Sequence, residues 1–526
     1  AAFTIPKQSL LPSTPMKKES GAPEFRVSAD AAVGRTDAVM TPPDAADTRS
    51  DARRLTDSLQ LSADALPLPL LRTLPSLLRN SSFDVQAVVH HDSRAPEILA
   101  VRARGDNSPL LGAALDIGTT TLGLRLLDLE SGECLACSTA PNPQAAMGAD
   151  VISRIHYSME NPGGLEHLRD TVLFSINDII GQALEQAQRH EDCVYEICVC
   201  GNPVMTQIFL GVDPRPIAAT PFTPAATGEI RVSAQDARVR GHARARLFTL
   251  PGVAGFVGAD AIGALLAANP GQGDLPALIL DFGTNAEIIL VCENAIYACA
   301  AAAGPALEGA HLSHGMGAWP GAVDRVDISA QKVAFTTIGN EPACGLCGTG
   351  ALDTLAGLLA AGVVDATGRF TAAETWPHAL RQHAAADHLG RPAFSVAQSD
   401  TDSKILFTQA DVRQLQLARG AIAAGITVLL QTAGINARDL KAVLCAGALG
   451  SFLRPCTALA MGLVPEAPED RIRFLGNAAL TGAARALLNR AERARARELA
   501  HAVTYIELSG RSDFNAAFES CLRFSV

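Results

Sequence analysis

The chain has no surplus of positive charge and no long, uninterrupted apolar run. Its 526 residues include 43 lysines and arginines against 54 aspartates and glutamates, a formal net charge of −11 at pH 7. Proteins that bind nucleic acid neutralise phosphates with basic side chains, so this balance argues against a nucleic-acid partner. The longest uncharged apolar stretch, residues 420–437, contains Thr, Gln and Asn. It therefore predicts a buried helix rather than a membrane span, and we expect no membrane partner.

Cysteine is absent from the first quarter of the chain. All 12 cysteines lie at or after Cys134, so residues 1–133 cannot hold a cluster bound by thiolates. The cysteines are scattered without the spacing of a small disulfide-bonded domain, and no signal peptide is visible. This pattern is typical of a reducing compartment and predicts a cytoplasmic location.

The composition predicts a globular protein with about three domains, because 48% of the residues are apolar and 18% are charged. Residues 1–49 are rich in Pro, Ser, Thr, Ala and Asp without periodicity, which predicts a flexible linker. The chain starts at Ala1 rather than Met, so we expect it to begin inside the linker of a longer protein. Residues 50–109 predict a small α+β middle domain with two short helices followed by two strands.

A short motif occurs twice and organises the rest of the chain. An Asp ends an apolar strand, a Gly and hydroxyl or amide residues follow, and a second apolar strand begins. Each copy predicts a β-hairpin with a polar, glycine-containing tip. The first tip contains Asp116, Gly118, Thr119, Thr120 and Thr121, and the second contains Asp281, Gly283, Thr284, Asn285 and Glu287.

The two tips have the chemistry of a phosphate site. Glycine lets the backbone approach a phosphate closely, turn N–H groups and Thr hydroxyls donate to phosphate oxygens, and an Asp can hold Mg²⁺ directly or through water. A single copy could be an ordinary hairpin turn. Two copies facing each other would hold a nucleoside triphosphate from both sides, and the repetition favours this interpretation.

The duplicated hairpin resembles the phosphate-1 and phosphate-2 loops of the acetate and sugar kinase, heat-shock protein 70 and actin superfamily. An adenosine-binding loop of that superfamily matches residues 442–452, where a strand runs into Gly447, Ala448 and Gly450. The resemblance implies an α/β, two-lobed, actin-like (ribonuclease H-like) ATPase domain over residues 110–526. We expect lobe I at about 110–268, lobe II at about 269–490 and a C-terminal extension over 491–526.

Several further motifs occur in one order, and together they resemble the reductive activators of corrinoid-dependent methyltransferases and corrinoid iron-sulfur proteins. The resemblance covers about residues 50–526. Members of that family typically carry an N-terminal [2Fe-2S] ferredoxin module, so the cluster is expected only in a module outside these residues. The motifs are Asn142-Pro143-Gln144 and residues 148–154, 201–205, 304–310, 347–353, 409–419 and 476–483.

The resemblance implies ATP-dependent reductive activation of a corrinoid protein, which returns Co(II) cobalamin to Co(I). ATP and Mg²⁺ would be used in the two-lobed domain, and electrons would come from the [2Fe-2S] module. The implied partners are a corrinoid iron-sulfur protein or the corrinoid subunit of a methyltransferase, and a low-potential electron donor. The oligomeric state stays open, and a homodimer is one alternative.

The motifs also imply roles for individual residues. Asp116 and Asp281 are the expected catalytic and Mg²⁺-binding groups, and Glu287 is either a third Mg²⁺ ligand or part of a structural salt bridge. Residues 348–350 open a helix and either present N–H groups to ATP or allow close helix packing. The expected ATP-binding residues are Gly118, Thr119, Thr120, Thr121, Gly283, Thr284, Asn285, Gly348, Thr349, Gly350, Gly447, Ala448 and Gly450.

Three other functions stay open. A small-molecule kinase of the same superfamily would need an acceptor pocket between the lobes. An activating ATPase of 2-hydroxyacyl-CoA dehydratases would bridge a [4Fe-4S] cluster across a homodimer, but those proteins are much shorter and lack the middle domain. A non-enzymatic, actin-like or chaperone-like module would use ATP only to set its affinity for a partner.

Cysteines and histidines outside the hairpins permit weaker hypotheses. Two Cys-x-x-Cys pairs could form a four-thiolate metal site, although they lie in opposite halves of the domain. Cys198 and Cys200 alternate within an apolar strand, which favours buried core thiols. A segment with two histidines is either a corrinoid-facing surface or a surface loop packed by its Trp. These groups are Cys134, Cys137, Cys344 and Cys347 for the thiolate site, and His311, His314, Met316 and Trp319 for the surface.

Overall fold

The computed structural model describes residues 27–61, 66–92, 96–399, 403–450 and 452–524. Residues 1–26 of the predicted linker and Ser451 of the predicted adenosine loop lie outside these ranges, as does the side chain of Ala448. The described elements fall into a small N-terminal unit and two larger α/β lobes. The secondary structure follows the predicted order, with differences at a few boundaries.

The N-terminal unit is a three-stranded antiparallel sheet covered by two helices. Its elements are β1 (Val33–Val39), α1 (Asp51–Ser58), α2 (Leu68–Asn80), β2 (Asp84–His90) and β3 (Glu97–Ala103), and the strand order is β1-β2-β3. Helix α1 begins after Ser50, whose side chain accepts a hydrogen bond from the Arg53 N–H. The predicted helices and strands after residue 50 are present. Strand β1 lies within the segment expected to be a linker, so the ordered unit starts earlier than predicted.

Lobe I is built on a six-stranded sheet with the order β6-β5-β4-β7-β9-β8. The first three strands in sequence form an antiparallel meander, and β7 pairs parallel to β4. Helix α4 lays one apolar face on this sheet, as its three-to-four spacing of apolar residues predicts. The elements are β4 (Leu111–Ile117), β5 (Thr121–Asp128), β6 (Cys134–Pro141), α3 (Val151–Glu160), α4 (Gly164–Gln186), β7 (Val194–Gly201), α5 (Pro203–Leu210), β8 (Arg231–Ser233), β9 (Arg246–Thr249) and α6 (Ala259–Ala268).

Lobe II repeats this plan on a second six-stranded sheet and adds two small sheets. Its main elements up to the long helix are β10 (Ala277–Phe282), β11 (Ala286–Val291), β12 (Ile296–Ala301), β13 (Ala322–Ile328), β14 (Val333–Thr337), β15 (Gly345–Leu346), α7 (Gly348–Ala360), β16 (Ala384–Ala386), β17 (Pro392–Gln398), β18 (Lys404–Thr408) and α8 (Gln409–Ala433). The remaining elements are β19 (Ala442–Ala446), α9 (Gly447–Gly450), α10 (Pro455–Ala460), β20 (Ile472–Gly476), α11 (Ala478–Leu488), α12 (Arg490–Ala502), β21 (Val503–Tyr505) and α13 (Ser512–Cys521).

The two large sheets have the same internal arrangement. In lobe II the order is β20-β19-β10-β11-β12-β21, with β10, β11 and β12 antiparallel and β19 parallel to β10. The hairpin and parallel strand of each lobe therefore correspond, as the repeated motif predicts. This arrangement confirms the α/β, two-lobed, actin-like fold, with the α+β unit before it.

Helices α6 and α11 lie together between the two lobes. One apolar core contains residues from both large sheets and from both helices, including Ala114, Ile279, Ile262 and Leu487. The helices approach so closely at Gly263 that a Cβ added there would lie 2.7 Å from the carbonyl oxygen of Ala479. Any change in the angle between the lobes must therefore involve this helix pair.

The C-terminal part contains two successive helices, although the apolar pattern of residues 478–493 predicts one continuous helix. Helix α11 ends at Leu488, and Asn489 has extended backbone angles before α12 begins. The Asn489 side chain accepts hydrogen bonds from the N–H groups of Ala491 and Glu492, which is N-terminal capping. The apolar pattern runs through the break, so periodicity alone could not reveal it.

Helix α8 is the buried helix predicted around residues 420–437. Among the described residues, α8 is the one helix long and apolar enough to cross a membrane by length and composition. However, 72% of its most apolar window is buried within the protein. Its apolar character is therefore explained by packing in the core of lobe II.

Candidate nucleotide site

Asp116 lies near the end of β4, with its carboxylate in the cleft between the lobes. The Asn477 side-chain amide donates to Oδ2 at 2.8 Å, and the Cys200 thiol donates to Oδ1 at 3.7 Å. Burial raises the pKa of Asp116 to about 6, and these two hydrogen bonds act in the opposite direction. Asn477 connects this tip to the start of α11, so the first predicted catalytic carboxylate also contacts the helix pair between the lobes.

The rest of the first tip is held by residues from the motifs that follow it. Asn142 donates to the Gly118 carbonyl at 2.9 Å, and the buried Arg154 guanidinium donates to the Thr119 carbonyl. Asn202 donates to the Thr119 hydroxyl oxygen at 3.0 Å. The Asn-Pro-Gln motif and residues 148–154 and 201–205 therefore have a common physical role, which is to fix the backbone of this tip.

The second tip has the same shape but a different environment. Asp281 on β10 lies directly opposite Glu287 on β11, and the Gly283 N–H donates to the Asn285 carbonyl at 3.1 Å to close the turn. Burial raises the pKa of Asp281 to about 8, with further contributions from nearby carboxylates. Burial also raises the pKa of Glu287 well above its ordinary value. No basic side chain forms an ion pair with Glu287 among the described residues, so a structural salt bridge does not explain it there.

The two tips meet at Glu308, which the sequence analysis did not assign to the site. Its Oε2 atom accepts hydrogen bonds from the hydroxyls of Thr120 at 2.6 Å and Thr284 at 3.0 Å. The two hydroxyl oxygens are 3.4 Å apart. Glu308 lies in the family motif of residues 304–310, and the sequence alone predicts no functional role for that motif. The available signal was a carboxylate between two glycines, Gly304 and Gly309, in the short helical turn that follows β12.

Asp260 is the second residue that the sequence analysis missed. It lies in the first turn of α6, and its pKa is raised to about 7 by burial and by the negative charge of Asp116. The cleft therefore contains five half-buried or buried carboxyl groups, and burial together with negative neighbours raises the pKa of Asp260, Asp281 and Glu287. The five groups are Asp116, Asp260, Asp281, Glu287 and Glu308.

This carboxylate cluster has the donor chemistry of a Mg²⁺ site. Mg²⁺ prefers oxygen ligands and is usually held by one or two carboxylates together with waters and phosphate oxygens. Within the described ranges, no three Asp, Glu, His or Cys side chains are already placed as a complete ligand set. The described carboxylates therefore supply oxygen donors for Mg²⁺ without forming a complete ligand set.

The predicted adenosine loop lies against the second tip. Gly447 has φ +85°, and a Cβ added there would lie 2.5 Å from the Phe282 carbonyl oxygen and 2.6 Å from Asp281 Oδ1. Strand β19 leads into this loop and pairs with β10, which places Ala446 beside Asp281. A glycine at this position thus allows the predicted adenosine loop to contact the second tip.

Comparison with known proteins identifies the family. Residues 276–525 match the C-terminal domain of RACo, the ASKHA domain, residues 111–270 match the RACo middle region, and residues 24–108 match the RACo linker region. The corrinoid activation enzyme RamQ of Eubacterium limosum is 32% identical over 405 residues, covering 76% of this chain and 68% of RamQ. This chain belongs to the RACo family of corrinoid activators.

Two further similarities extend the relationship. The [Co(II) methylated amine-specific corrinoid protein] reductase of Methanosarcina barkeri is 25% identical over 427 residues, covering 75% of this chain and 73% of the reductase. A solved structure described as the reductive activator for corrinoid, iron-sulfur protein superposes with a TM-score of 0.85 and 33% identity, covering 99% of this chain and 85% of the other. The fold of the RACo family implies nucleotide binding, and its members' names imply a corrinoid protein as partner.

The names of the RACo regions differ from those used for the parts of the chain above. The small α+β unit falls within the linker region of RACo, and lobe I corresponds to its middle region. The linker region starts at residue 24 in this chain, which includes β1. The N-terminal unit is therefore an ordered part of what the family calls a linker.

The Gly348-Thr349-Gly350 segment has the contacts expected for close packing. Added Cβ atoms would lie 1.7 Å from the Leu307 carbonyl at Gly348 and 2.1 Å from the Val323 carbonyl at Gly350. The Thr349 hydroxyl donates to the carbonyl of Asp324. Leu307 directly precedes Glu308. The packing of Gly348 against the Leu307 carbonyl therefore supports the backbone next to the residue that joins the two tips.

The remaining hypotheses have different outcomes. Cys198 and Cys200 are buried core residues, as predicted. Cys134 and Cys137 lie on β6 of lobe I, whereas Cys344 and Cys347 flank β15 of lobe II, and no three-ligand group exists among the described residues. The four-thiolate hypothesis is therefore wrong for the described structure.

His314 lies in the long connection between β12 and β13. It lines a cavity of about 330 Å³ in lobe II together with Cys344, Lys404 and neighbouring residues. This cavity is separate from the carboxylate cluster. The corrinoid-facing surface stays a prediction.

Proposed function

We propose that this chain is an ATP-dependent reductive activator that returns the Co(II) cobalamin of a corrinoid protein to Co(I). The observation that carries the proposal is the contact of the two hairpin tips through Glu308 in a member of the RACo family. A ligand between these tips reaches both lobes, so nucleotide binding can be converted into a change of their relative position.

The residues around the cleft support specific roles in ATP binding. The hydroxyls of Thr120 and Thr284 would donate to phosphate oxygens after they leave Glu308, together with the N–H groups of both tips. The loop at Gly447 would hold adenosine against the second tip. Asp116 and Asp281 would hold Mg²⁺, which neutralises charge on the transferring phosphate when it is bound.

The reason for coupling ATP to this reduction is energetic. Formation of Co(I) requires a very low potential, and for a one-electron step each 59 mV corresponds to about 1.4 kcal/mol. ATP binding can offset part of this gap in one of two ways. It can raise the affinity of the two-lobed domain for the Co(II) protein, or it can lead to removal of an axial ligand from cobalt. The electrons would come from a low-potential donor through a [2Fe-2S] module outside these residues.

The described thiols do not fit an iron-sulfur cluster. Cys198, Cys200, Cys299 and Cys445 are buried in the cores of the two lobes. The described residues contain no group of three metal ligands. We therefore propose that this chain provides the nucleotide-dependent clamp and that no electron step uses its own cysteines.

The proposed partner surface is the segment that contains His311, His314, Met316 and Trp319. The cavity beside His314 opens within the same lobe. The proposed partner is a corrinoid iron-sulfur protein or a methyltransferase corrinoid subunit. The exposed cysteines are consistent with a reducing, cytoplasmic setting, and homodimer formation is part of the proposal to be tested.

The decisive experiment mixes the full chain with a Co(II) corrinoid protein and measures complex formation by analytical ultracentrifugation with and without Mg-ATP. We expect a complex whose affinity changes with Mg-ATP, and an ATPase rate that the Co(II) protein stimulates. The methylated corrinoid protein is the matched control and should bind more weakly. A partner that neither binds nor stimulates would contradict the activator function, and a phosphoryl-acceptor screen would then test the kinase alternative.

The same preparation tests whether electron transfer requires a separate iron-sulfur module. The chain should contain no stoichiometric iron or acid-labile sulfide, and it should reduce the Co(II) protein only when a ferredoxin-type module is supplied. Stoichiometric iron and sulfide in the chain alone would show that its own cysteines hold a cluster.

A further inference from the structure

Two exposed cysteines on strand β6 form a close thiol pair. Cys134 and Cys137 are both exposed, and their sulfur atoms are 3.4 Å apart. Residues three apart in a regular strand point to opposite faces. Here the pairing with β5 shifts, so that Leu126 faces Ala136 while Leu127 faces Cys134. The additional residue is a β-bulge, and it brings both thiols to the same side.

The surroundings of the pair favour reaction with an electrophilic sulfur. Strand β6 is at the edge of its sheet, so solutes can reach it. Arg125 is the cross-strand partner of Cys137, which places a permanent cation beside the thiols. The hydrogen bond with Cys137 and, next, burial raise the pKa of Cys134, while the charge of Arg125 acts in the opposite direction. Because Arg125 lies directly opposite Cys137 and favours a thiolate there, Cys137 is placed to react first.

The second Cys-x-x-Cys sequence in the chain provides an internal comparison. Cys344 is exposed, but Cys347 is buried and its sulfur contacts the Val323 carbonyl and the Thr349 hydroxyl. That pair therefore has one accessible thiol. The β-bulge, rather than the spacing in the sequence, distinguishes the pair on β6.

We propose that Cys134 and Cys137 are a redox-active dithiol that small-molecule disulfides oxidise reversibly. The Cys137 thiolate attacks one sulfur of the small disulfide, forms a mixed disulfide and releases one small thiol. The sulfur of Cys134 then attacks Cys137, and the second small thiol leaves with a proton. Both protein sulfurs are oxidised and the small disulfide is reduced to two thiols. To form the bond, the protein sulfurs must approach by about 1.3 Å from their separation of 3.4 Å.

The test uses the full chain and glutathione disulfide, with intact mass and peptide mapping. We expect a disulfide between Cys134 and Cys137 and no retained glutathione on either. The exposed single thiol Cys456 should instead keep glutathione. Because ring closure is intramolecular, retained glutathione should be at least about tenfold lower at the pair than at Cys456. Dithiothreitol should restore both thiols.

Serine variants separate the two cysteines. In Cys134→Ser, Cys137 should retain glutathione because the second thiol is missing, and in Cys137→Ser the remaining Cys134 should react more slowly than Cys137 does. Cys456→Ser is the control and should leave disulfide formation on β6 unchanged. The proposal is overturned if the wild-type pair keeps glutathione, or stays reduced while Cys456 is modified. It is independent of corrinoid activation, since the readout requires neither ATP nor a partner.

A dithiol-specific probe supplies a second measurement. Phenylarsine oxide binds pairs of nearby thiols, so one equivalent should protect Cys134 and Cys137 from alkylation in the wild-type chain. Each single serine variant should lose this protection. Equal alkylation of the wild-type pair with and without the probe would show that the two sulfurs do not act together.

Discussion

Asp116 and Asp281 occupy equivalent positions in the two hairpins, but their carboxylates have different partners. Asp116 accepts hydrogen bonds from Asn477 and Cys200. In the described structure no hydrogen bond supports the Asp281 carboxylate, and Asp260, Asp116 and Glu308 raise its pKa in addition to burial. The ionised form of Asp281 therefore has less support from its surroundings than the ionised form of Asp116.

Neutralising either carboxylate should remove ATP turnover. We expect Asp116→Asn and Asp281→Asn to reduce the rate of ATP hydrolysis at least about 100-fold, because both remove a charge from the proposed Mg²⁺ site. Steady-state ATPase assays measure the effect, and circular dichroism checks the fold. The exposed Asp470→Asn is the matched control and should retain the wild-type rate. Full activity in both cleft variants would exclude the two-tip site.

The adenosine loop can be tested at Gly447. A Val side chain there would collide with the Phe282 carbonyl and with Asp281, and φ +85° is strained for a β-branched residue. Gly447→Val should weaken nucleotide binding by at least about tenfold, which is about 1.4 kcal/mol. Isothermal titration calorimetry with ATP measures the affinity. Gly228→Val is the control, since nothing lies within 4 Å of an added Cβ there, and equal affinities for both variants would place adenosine elsewhere.

The sequence predicts both tips but not the residues that join them. The tips are readable because an Asp, a Gly and hydroxyl residues follow each other within a few positions. Glu308 is separated from Thr120 by 188 positions, and the negative charge that shifts Asp260 comes from Asp116. Such contacts depend on how the lobes are placed, which local patterns do not encode.

At the scale of elements, the polar network between the N-terminal unit, lobe I and α12 was invisible in the sequence. Arg493 on α12 is buried, lies 3.6 Å above the Phe248 ring, and pairs with Glu196 of β7 at 3.0 Å and Asp92 at 2.8 Å. His90 of β2 is 2.9 Å from the same Glu196 carboxylate. The charge of Arg493 helps to lower the pKa of Glu196 to about 2, although burial, the largest influence, acts in the opposite direction.

Removal of Arg493 should strongly destabilise the protein. Arg493→Ala leaves the Glu196 carboxylate buried without its main partner, so we expect a loss of about 3–5 kcal/mol in the free energy of unfolding. Urea denaturation followed by fluorescence or circular dichroism measures it. Arg490→Ala on the same helix breaks a solvent-exposed pair with Asp30 and should cost less than about 1 kcal/mol. Similar losses for the two variants would contradict the structural importance of the buried network.

Other element boundaries show why periodicity has limits. Strand β1 contains Gly, Arg, Thr and Asp in its middle, and its exposure pattern does not alternate regularly, so it resembled a linker. Its identity comes from pairing with β2, more than forty positions later. The predicted hairpins and the buried helix around residues 420–437 were correct because their apolar patterns are continuous and local.

At the scale of the molecule, the cleft carboxylates should make stability depend on pH. The folded-state pKa values of Asp116, Asp260 and Asp281 are about 6, 7 and 8, above those of an unfolded chain. The nucleotide-free protein therefore holds more protons than the unfolded chain between about pH 4 and pH 8. The stabilisation of the folded state by these protonated carboxyl groups is complete below about pH 4 and is lost as the pH rises to about 8.

Thermal unfolding across this range measures the effect. The melting temperature of the nucleotide-free chain should fall as the pH increases from 5 to 8, and the dependence should be weaker in Asp281→Asn, which cannot ionise. Each group that retains its proton contributes a slope of about 1.4 kcal/mol per pH unit. An identical slope in the wild type and the variant would show that Asp281 is not the buried acid that the structure indicates.

The Glu308 bridge has a consequence for the kinetics of nucleotide binding. The hydroxyls of Thr120 and Thr284 donate to one carboxylate oxygen, and that contact joins the two tips. A phosphate that needs the same hydroxyls must compete with Glu308, and the two negative groups repel each other. If phosphate binds at the tips as proposed, association requires the bridge to open, and we expect its rate to approach a limit at high nucleotide concentration that is set by the opening step.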